Sequence, residues 1–289
     1  SMTHPSKCSM DMEIDMENKL VPELCRLLDR GREGRVCIIT GAGMSAESGI
    51  PTFRGEEGYW VVGSREYRPQ EMATRVAFTN MPREVWRWYL YRRHICRAAG
   101  PNPGHLALAR LEQALGDRFS LVTQNVDGIH LRAGNSLDRT YQVHGNIDFM
   151  RAAKDGESAL IPMDPELVLD KLTPMTDEMW ARLVCPDGQR ARPHILWFDE
   201  YYNEMLYRST TAMTAAASCD LLLIIGTSGA ASLPMHATAE AARAGAAIVN
   251  LDPYDNDFAV FARDSSRGHW IQGTSACELP AIVDYLVKT

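Results

Sequence analysis

The chain has 289 residues, 45 % of them hydrophobic, enough for a sizeable core in one large domain or in a large and a small one. A formal net charge of −7 argues against a general nucleic-acid or anionic-membrane binder, although a single site can still be locally basic. The seven cysteines are scattered and form no C-x-x-C pair, which argues against a disulfide scaffold and for a reducing compartment.

Ser1-Met2 reads as a tag remnant, and residues 1–17, alternating Met with Asp and Glu, as a flexible acidic tail without chemistry. Residues 18–30 show helical periodicity, with Leu20, Leu24, Leu27 and Leu28 on one side. VCIIT at 36–40 predicts a short buried strand that runs into Gly41-Ala42-Gly43 and a helix start near Met44. Residues 55–80 read as irregular. A helix follows Asn80, with Pro82 in its first turn, and runs to about 98; another covers 105–115. FSLVT at 119–123 is a second buried strand. Residues 146–190 are the least regular, with short helices expected near 165–171 and 176–183 and strands or tight turns around 195–198. A helix over 202–217 leads to an apolar strand at 220–225, a helix at 233–244 and a strand at 246–250. Apolar strands alternating with helices predict an α/β fold, a Rossmann-like parallel sheet covered on both faces. No run has spanning length and no signal peptide is read, so the cytoplasm is the expected location.

Polar or glycine-rich residues stand at several predicted strand ends, where such sheets bind ligands. Gly41 and Gly43 let backbone amides approach a diphosphate beside a helix start; alone they equally fit a tight turn, and the third glycine of the dehydrogenase fingerprint is absent. Gly226-Thr227-Ser228 is a second phosphate or ribose candidate, and Asn250 could meet ribose or base or simply make a turn. Gln124, Asn125 and Asp127 could position a ribose or a water, or form an Asx turn. His144 could be a general base or a structural histidine. Arg54 could meet phosphate or order its loop. Ile195, Trp197 and Phe198 could be core or receive an extended substrate.

These pieces in this order resemble the sirtuin family: GAGMSAESGIPTFRG at 41–55, TQNVDGIH at 123–130, VHG at 143–145, GTS at 226–228 and the ending GTSACELPAIVDYL. The resemblance runs from about 35 to 287. It implies that Gly41, Ala42, Gly43, Ser45, Phe53, Arg54, Gln124, Asn125, Asp127, Gly226, Thr227, Ser228 and Asn250 hold NAD, consumed as a co-substrate. Asn125 and Asp127 would orient the nicotinamide end. His144 would be the base in removing an acyl group from a lysine, giving nicotinamide and an O-acyl-ADP-ribose. Ile195, Trp197 and Phe198 would hold the acyl-lysine peptide as an added strand. MATRVAF at 72–78 and VWRWYLYRR at 85–93 resemble the desuccinylase and demalonylase subgroup, which implies an acidic acyl group (succinyl, malonyl or glutaryl) bound by Tyr89 and Arg92, with Ala73 widening the pocket. Positions i and i+3 share a helix face. The plain alternative is a packed amphipathic helix.

The sequence departs from the family where four zinc cysteines are usual: 149–158 has none and 183–195 only Cys185. One thiolate cannot close a structural site, so no zinc is expected, and apolar packing and hydrogen bonds should hold the loop. Asp199 stands where glycine is usual. The expected organisation is an NAD-binding domain of 18–55, 104–145 and 195–289, a helical small-domain part at 56–103 and a zinc-less remnant at 146–194, in a monomer that binds neither nucleic acid nor membrane. Two rival readings are an NAD glycohydrolase or ADP-ribosyltransferase, and a non-catalytic NAD or ADP-ribose module. The presence of Asn125, Asp127 and His144 speaks against the last.

Overall fold

The computed structural model describes residues 20–154, 156 and 159–289; the expected tail at 1–17 lies outside them. The strands are β1 (Val36–Thr40), β2 (Trp60–Val62), β3 (Arg65–Tyr67), β4 (Phe119–Thr123), β5 (Thr140–Gln142), β6 (Gly145–Ala152), β7 (Ile161–Pro162), β8 (Ala191–Ile195), β9 (Leu221–Ile225), β10 (Ala247–Leu251) and β11 (Gly268–Ile271). Six of them form one parallel sheet in the order β11-β10-β9-β1-β4-β5.

Alternation along each strand sends side chains to both faces. From β1 and β9, Val36, Ile38, Leu221 and Leu223 enter a core under the helices Pro22–Glu33, Pro103–Leu115 and Ser275–Val287. Cys37, Ile39, Leu222 and Ile224 enter the opposite core, under Ser209–Ala217, Ser232–Arg243 and Asp257–Arg263. Both faces are therefore dry, which is why these strands read as continuous apolar runs. The chain leaves β1 towards β4 and β5 and later returns on the other side as β9. The carboxyl ends of β1 and β9 thus flank the switch point at which α/β sheets bind ligands.

A third apolar cluster lies around the helix Pro82–Ala98 and includes Trp60, Trp86, Trp88, Leu167, Leu183 and Trp197. It packs beneath a three-stranded antiparallel sheet, β7-β6-β8. Several expectations change here. The stretch 55–80 contains the β2–β3 hairpin and the short helices Pro69–Met72 and Arg75–Asn80. Elements of three to six residues carry too little periodicity to be read. The stretch 146–190 opens with an eight-residue strand, β6.

No helix forms over 165–171. The carbonyls of Met163, Asp164 and Leu167 instead accept from the buried Arg93 guanidinium at 3.4, 2.8 and 2.8 Å. Arg93 also bonds the Asp148 carboxylate at 3.0 Å. Backbone oxygens drawn to a side chain are lost to an i→i+4 ladder. The helix expected over 202–217 breaks into Glu204–Tyr207 and Ser209–Ala217. Arg208 sits between them at φ +50°, bonded to the Asp138 carbonyl at 2.8 Å, and the Glu204 carboxylate caps the second piece at the Thr211 amide.

Candidate active site

The loops after β1 and β9 touch backbone to backbone. The Gly43 amide donates to the Gly226 carbonyl at 2.8 Å, and a Cβ on Gly41 or Gly43 would come within 2.8 or 2.7 Å of the other loop. Gly226 lies at φ +63°, where side chains strain. In the protein alone, these glycines serve first to let two loops meet. The helix started at Gly43 is a single turn, Gly43–Ala46. Of its residues, Ser45 is buried, while Ala42 stands exposed just before it.

Beyond β4, Gln124 donates to Thr227 Oγ1 at 2.9 Å, and Asn125 donates to the Gly41 carbonyl at 2.8 Å, which leaves the Asn125 amide oxygen free to accept. Asp127 is buried and accepts from Ser45 Oγ at 2.7 Å and from the Ile129 amide at 2.9 Å. Burial raises its pKa, and these hydrogen bonds oppose the rise. Two further histidines lie behind this motif. His130 Nε2 meets Thr40 Oγ1 at 2.9 Å, and its ring stands edge-on to His105 at 5.1 Å. Burial pushes His130 down to about 3 and His105 to about 4, so both are neutral scaffolding.

His144, just before β6, is half-buried. Its Nδ1 lies 3.1 Å from the Gln124 carbonyl and its Nε2 lies 2.9 Å from the Tyr202 hydroxyl. Burial lowers its pKa to about 4, with the Arg54 charge adding to that and the Gln124 carbonyl opposing it. The imidazole is therefore a neutral acceptor near pH 7, as a general base requires. Arg54 is exposed beside it, and Phe53 is buried at φ +56°, a conformation that costs a bulky residue about 1–3 kcal/mol.

At the phosphate or ribose candidates after β9, the Ser228 side chain is exposed, whereas Thr227 is buried. Asn250 does not end its strand. It is the penultimate residue of β10 and fully buried; its amide donates to Asn256 at 3.1 Å and its Oδ1 is buried without a partner. An orphaned acceptor, an exposed hydroxyl and an exposed guanidinium along the strand ends suit the hydroxyls and phosphates of a dinucleotide.

Tyr89 and Arg92 project from the helix Pro82–Ala98. The Tyr89 hydroxyl accepts from Trp197 Nε1 at 3.1 Å and keeps its own proton to donate. The Arg92 guanidinium carbon lies 4.7, 4.8 and 5.3 Å from the ring centroids of Phe53, Trp88 and Tyr89, and its buried Nε has no partner. β8 ends at Ile195, so Trp197 and Phe198 are loop rather than strand. Ile195 and Trp197 are core, and only Phe198 is exposed. The Phe198 amide already donates to the Ala73 carbonyl at 3.0 Å.

Arg192 and Glu200, not singled out from the sequence, and Asp199, which is, hold this loop. Arg192 stacks on Trp197 at 3.7 Å and forks onto Glu200 with two bonds of 2.7 Å. Burial alone would raise the Glu200 pKa, but the Arg192 bonds hold it down at about 2. Asp199 caps the helix Arg75–Asn80 at the Arg75 and Val76 amides, 2.7 and 3.2 Å away. Glycine could not make that cap. An Arg and an acid eight positions apart carry no local signal.

The model of the Sir2 family matches residues 41–232. The chain belongs to the Sir2 family. This Sir2-family chain is 36 % identical over 255 residues to an "NAD-dependent protein deacylase" of Leptospira interrogans, covering 88 % of this chain and 94 % of that one. It is 38 % identical over 208 residues to "NAD-dependent protein deacylase sirtuin-5, mitochondrial" of Danio rerio, covering 67 % and 65 %. Its fold matches a Sir2 homologue solved with NAD at TM-score 0.70 and 29 % identity, covering 90 % of this chain and 93 % of the other. It also matches a Sir2 homologue mutant solved with 2'-O-acetyl ADP ribose, at TM-score 0.69 and 30 % identity, covering 90 % and 95 %.

Among the described residues, no group of three or more His, Cys, Asp or Glu could hold a metal. Cys185 is buried, and burial followed by the Asp187 charge raises its pKa, which favours the thiol over the thiolate that zinc needs. Metal analysis of the purified protein is expected to find no stoichiometric zinc; one zinc per chain would refute that expectation. Among the described residues, no helix is long and apolar enough to cross a membrane.

Proposed function

We propose that this protein consumes NAD to remove acidic acyl groups, such as succinyl, malonyl or glutaryl, from lysine side chains of peptides or proteins. The observation that carries the acyl preference is Arg92, a guanidinium ringed by Phe53, Trp88 and Tyr89 with its buried Nε unpartnered. A carboxylate is what a planar guanidinium fork beside a phenol donor fits best. The similarity to NAD-dependent protein deacylases supports the reaction class, and the strand-end donor set supports NAD.

When bound, NAD supplies an electrophilic ribose carbon whose leaving group is nicotinamide. Asn125 and Asp127 lie where they can orient that end, the former through its free amide oxygen. His144 Nε2 accepts the proton of a ribose hydroxyl, since its Nδ1 faces a carbonyl and must carry the ring hydrogen. Arg54, exposed beside His144, can meet phosphate. Phe198 and the following loop receive the peptide. The division into an NAD-binding part and a small part, with Arg92 and Tyr89 on the latter, belongs to the same proposal.

The test is turnover of matched acetyl-, malonyl-, succinyl- and glutaryl-lysine peptides with NAD. Arg92→Met is expected to lower kcat/KM for the acidic acyl groups by on the order of 10²-fold, the cost of removing one side of a desolvated charge pair, with acetyl turnover changed less than about threefold. Equal losses on all four peptides would refute the carboxylate role. Nicotinamide release at the same rate without peptide would replace the deacylase by a glycohydrolase.

A further inference from the structure

His144 has no free nitrogen. Nδ1 faces the Gln124 carbonyl, and a carbonyl only accepts, so Nδ1 carries the hydrogen and Nε2 is the acceptor of the neutral ring. Nε2 is taken by the Tyr202 hydroxyl at 2.9 Å, with the two rings stacked at 5.8 Å and 26°. The phenol must therefore be the donor. The hydroxyl thus spends its proton on His144.

Tyr202 follows the Trp197–Glu200 loop and precedes the four-residue helix Glu204–Tyr207, in a stretch without regular structure. Its neighbour Tyr201 is exposed, and Asn203 caps that helix by accepting from the Leu206 amide at 2.8 Å. A half-buried side chain on such a segment can turn away without breaking a strand or a helix.

We propose that Tyr202 is a positioning residue that occupies the proton-accepting nitrogen of His144 in the free protein and gives it up to a ribose hydroxyl when the co-substrate binds. The proposal rests on the deacylase reading, because it needs a hydroxyl that claims the same lone pair. The Gln124 carbonyl fixes the tautomer without this contact, and co-substrate binding must displace the contact. A ligand that breaks a resident contact binds more weakly by the strength of that contact. Removing the hydroxyl should therefore tighten binding and leave the chemical step alone.

The experiment compares the 289-residue chain with its Tyr202→Phe variant. Long-range proton–nitrogen NMR of histidine-labelled protein reads the His144 nitrogens, assigned by their loss in His144→Gln. In the free protein, Tyr202→Phe is expected to shift Nε2 while Nδ1 stays protonated against Gln124. With saturating ADP-ribose the two proteins should converge. In turnover, KM for NAD should fall about two- to tenfold, the worth of one hydrogen bond, with kcat unchanged. Identical Nε2 signals in the two free proteins would overturn the contact. A difference that survives ADP-ribose would overturn the displacement, as would a kcat that falls with KM unchanged. Failure of the wild-type protein to turn over any acyl-lysine peptide would sink the deacylase reading instead, and the NMR comparison would still decide the Tyr202 contact.

Discussion

Replacing Arg93 with Met is expected to destabilise the protein by about 3–5 kcal/mol, the usual cost of breaking a buried ion pair from one side. Arg93 is 1 % exposed and has no water to fall back on. Its guanidinium gathers the Asp148 carboxylate from β6 and the carbonyls of Met163, Asp164 and Leu167 from the segment after β7. It does the tethering that metal ligands do in a closed structural site, with hydrogen bonds in place of coordination. The Leu169 amide then docks on the Leu90 carbonyl, and Leu167, Leu169, Met175 and Leu183 close the apolar cluster beneath. In Arg93→Met, Asp148 keeps Arg97 at 3.3 Å, the carbonyls of Met163 and Leu167 lose the Arg93 donor, and the Asp164 carbonyl is left with the Leu167 amide at 3.0 Å. Thermal unfolding should shift down by on the order of 10 °C. Adding Asp148→Asn to Arg93→Met should recover part of the loss, since the stranded carboxylate is then gone. A melting temperature within about 1 °C of the parent would mean that the segment is held by packing alone.

The second large effect concerns acid. His105, His130 and His194 are almost fully buried. Burial depresses the pKa of each, to about 4, 3 and 3, with neighbouring positive charge adding to it for His105 and His194. Their folded pKa values lie below the unfolded value near 6.5, so the unfolded chain binds more protons at any pH between. Stability is then fully present above about pH 6.5 and is lost as pH falls towards 4 and 3, at up to about 1.4 kcal/mol per pH unit for each histidine. The raised pKa of Asp127 works the other way. Three rings acting together can exhaust a typical folding free energy within about two pH units. Circular dichroism against pH is expected to show the fold lost before pH 4, with the decline starting near pH 6.5. A fold intact at pH 4 would show that one or more of these rings titrates normally.

The two results bear on function through the same architecture. Arg93 stands one residue from Arg92 on the helix Pro82–Ala98, so loosening its clamp also loosens the support of the proposed acyl site. A carboxylate-reading arginine needs a rigid base, because a fork misplaced by an ångström loses its second hydrogen bond. His105 backs the Ser45–Asp127 pair through the Ser45 hydroxyl, and His130 stands edge-on to His105 and holds the Thr40 hydroxyl. Acid that charges them would disturb the proposed nicotinamide end before the sheet itself opens.

The sequence by itself determined the parallel sheet, because strands buried on both faces must be apolar throughout, as VCIIT and LLLII are. It also placed the polar residues that follow β1, β4 and β9 at strand ends, since local motifs of Gly, Asn, Asp and His survive as strings. Its reading of the helix Pro82–Ala98 needed only Pro82 at the start and a long regular run. Tertiary structure alone decided the rest. A helix over 165–171 is locally plausible, yet the distant Arg93 guanidinium holds the carbonyls of Asp164, just before it, and Leu167, within it. The helix over 202–217 fails at Arg208, whose partner, the Asp138 carbonyl, lies 70 positions earlier. Asn250 reads as the end of its strand, and only the fold sets it one residue inside β10, beside Asn256, with its Oδ1 unpartnered. Arg192, Glu200 and Tyr202 shape the loop and the base, but each acts across space on a residue it does not neighbour in sequence. Side chains that clamp backbone from afar leave no periodicity and no spacing, so only the packed chain shows them.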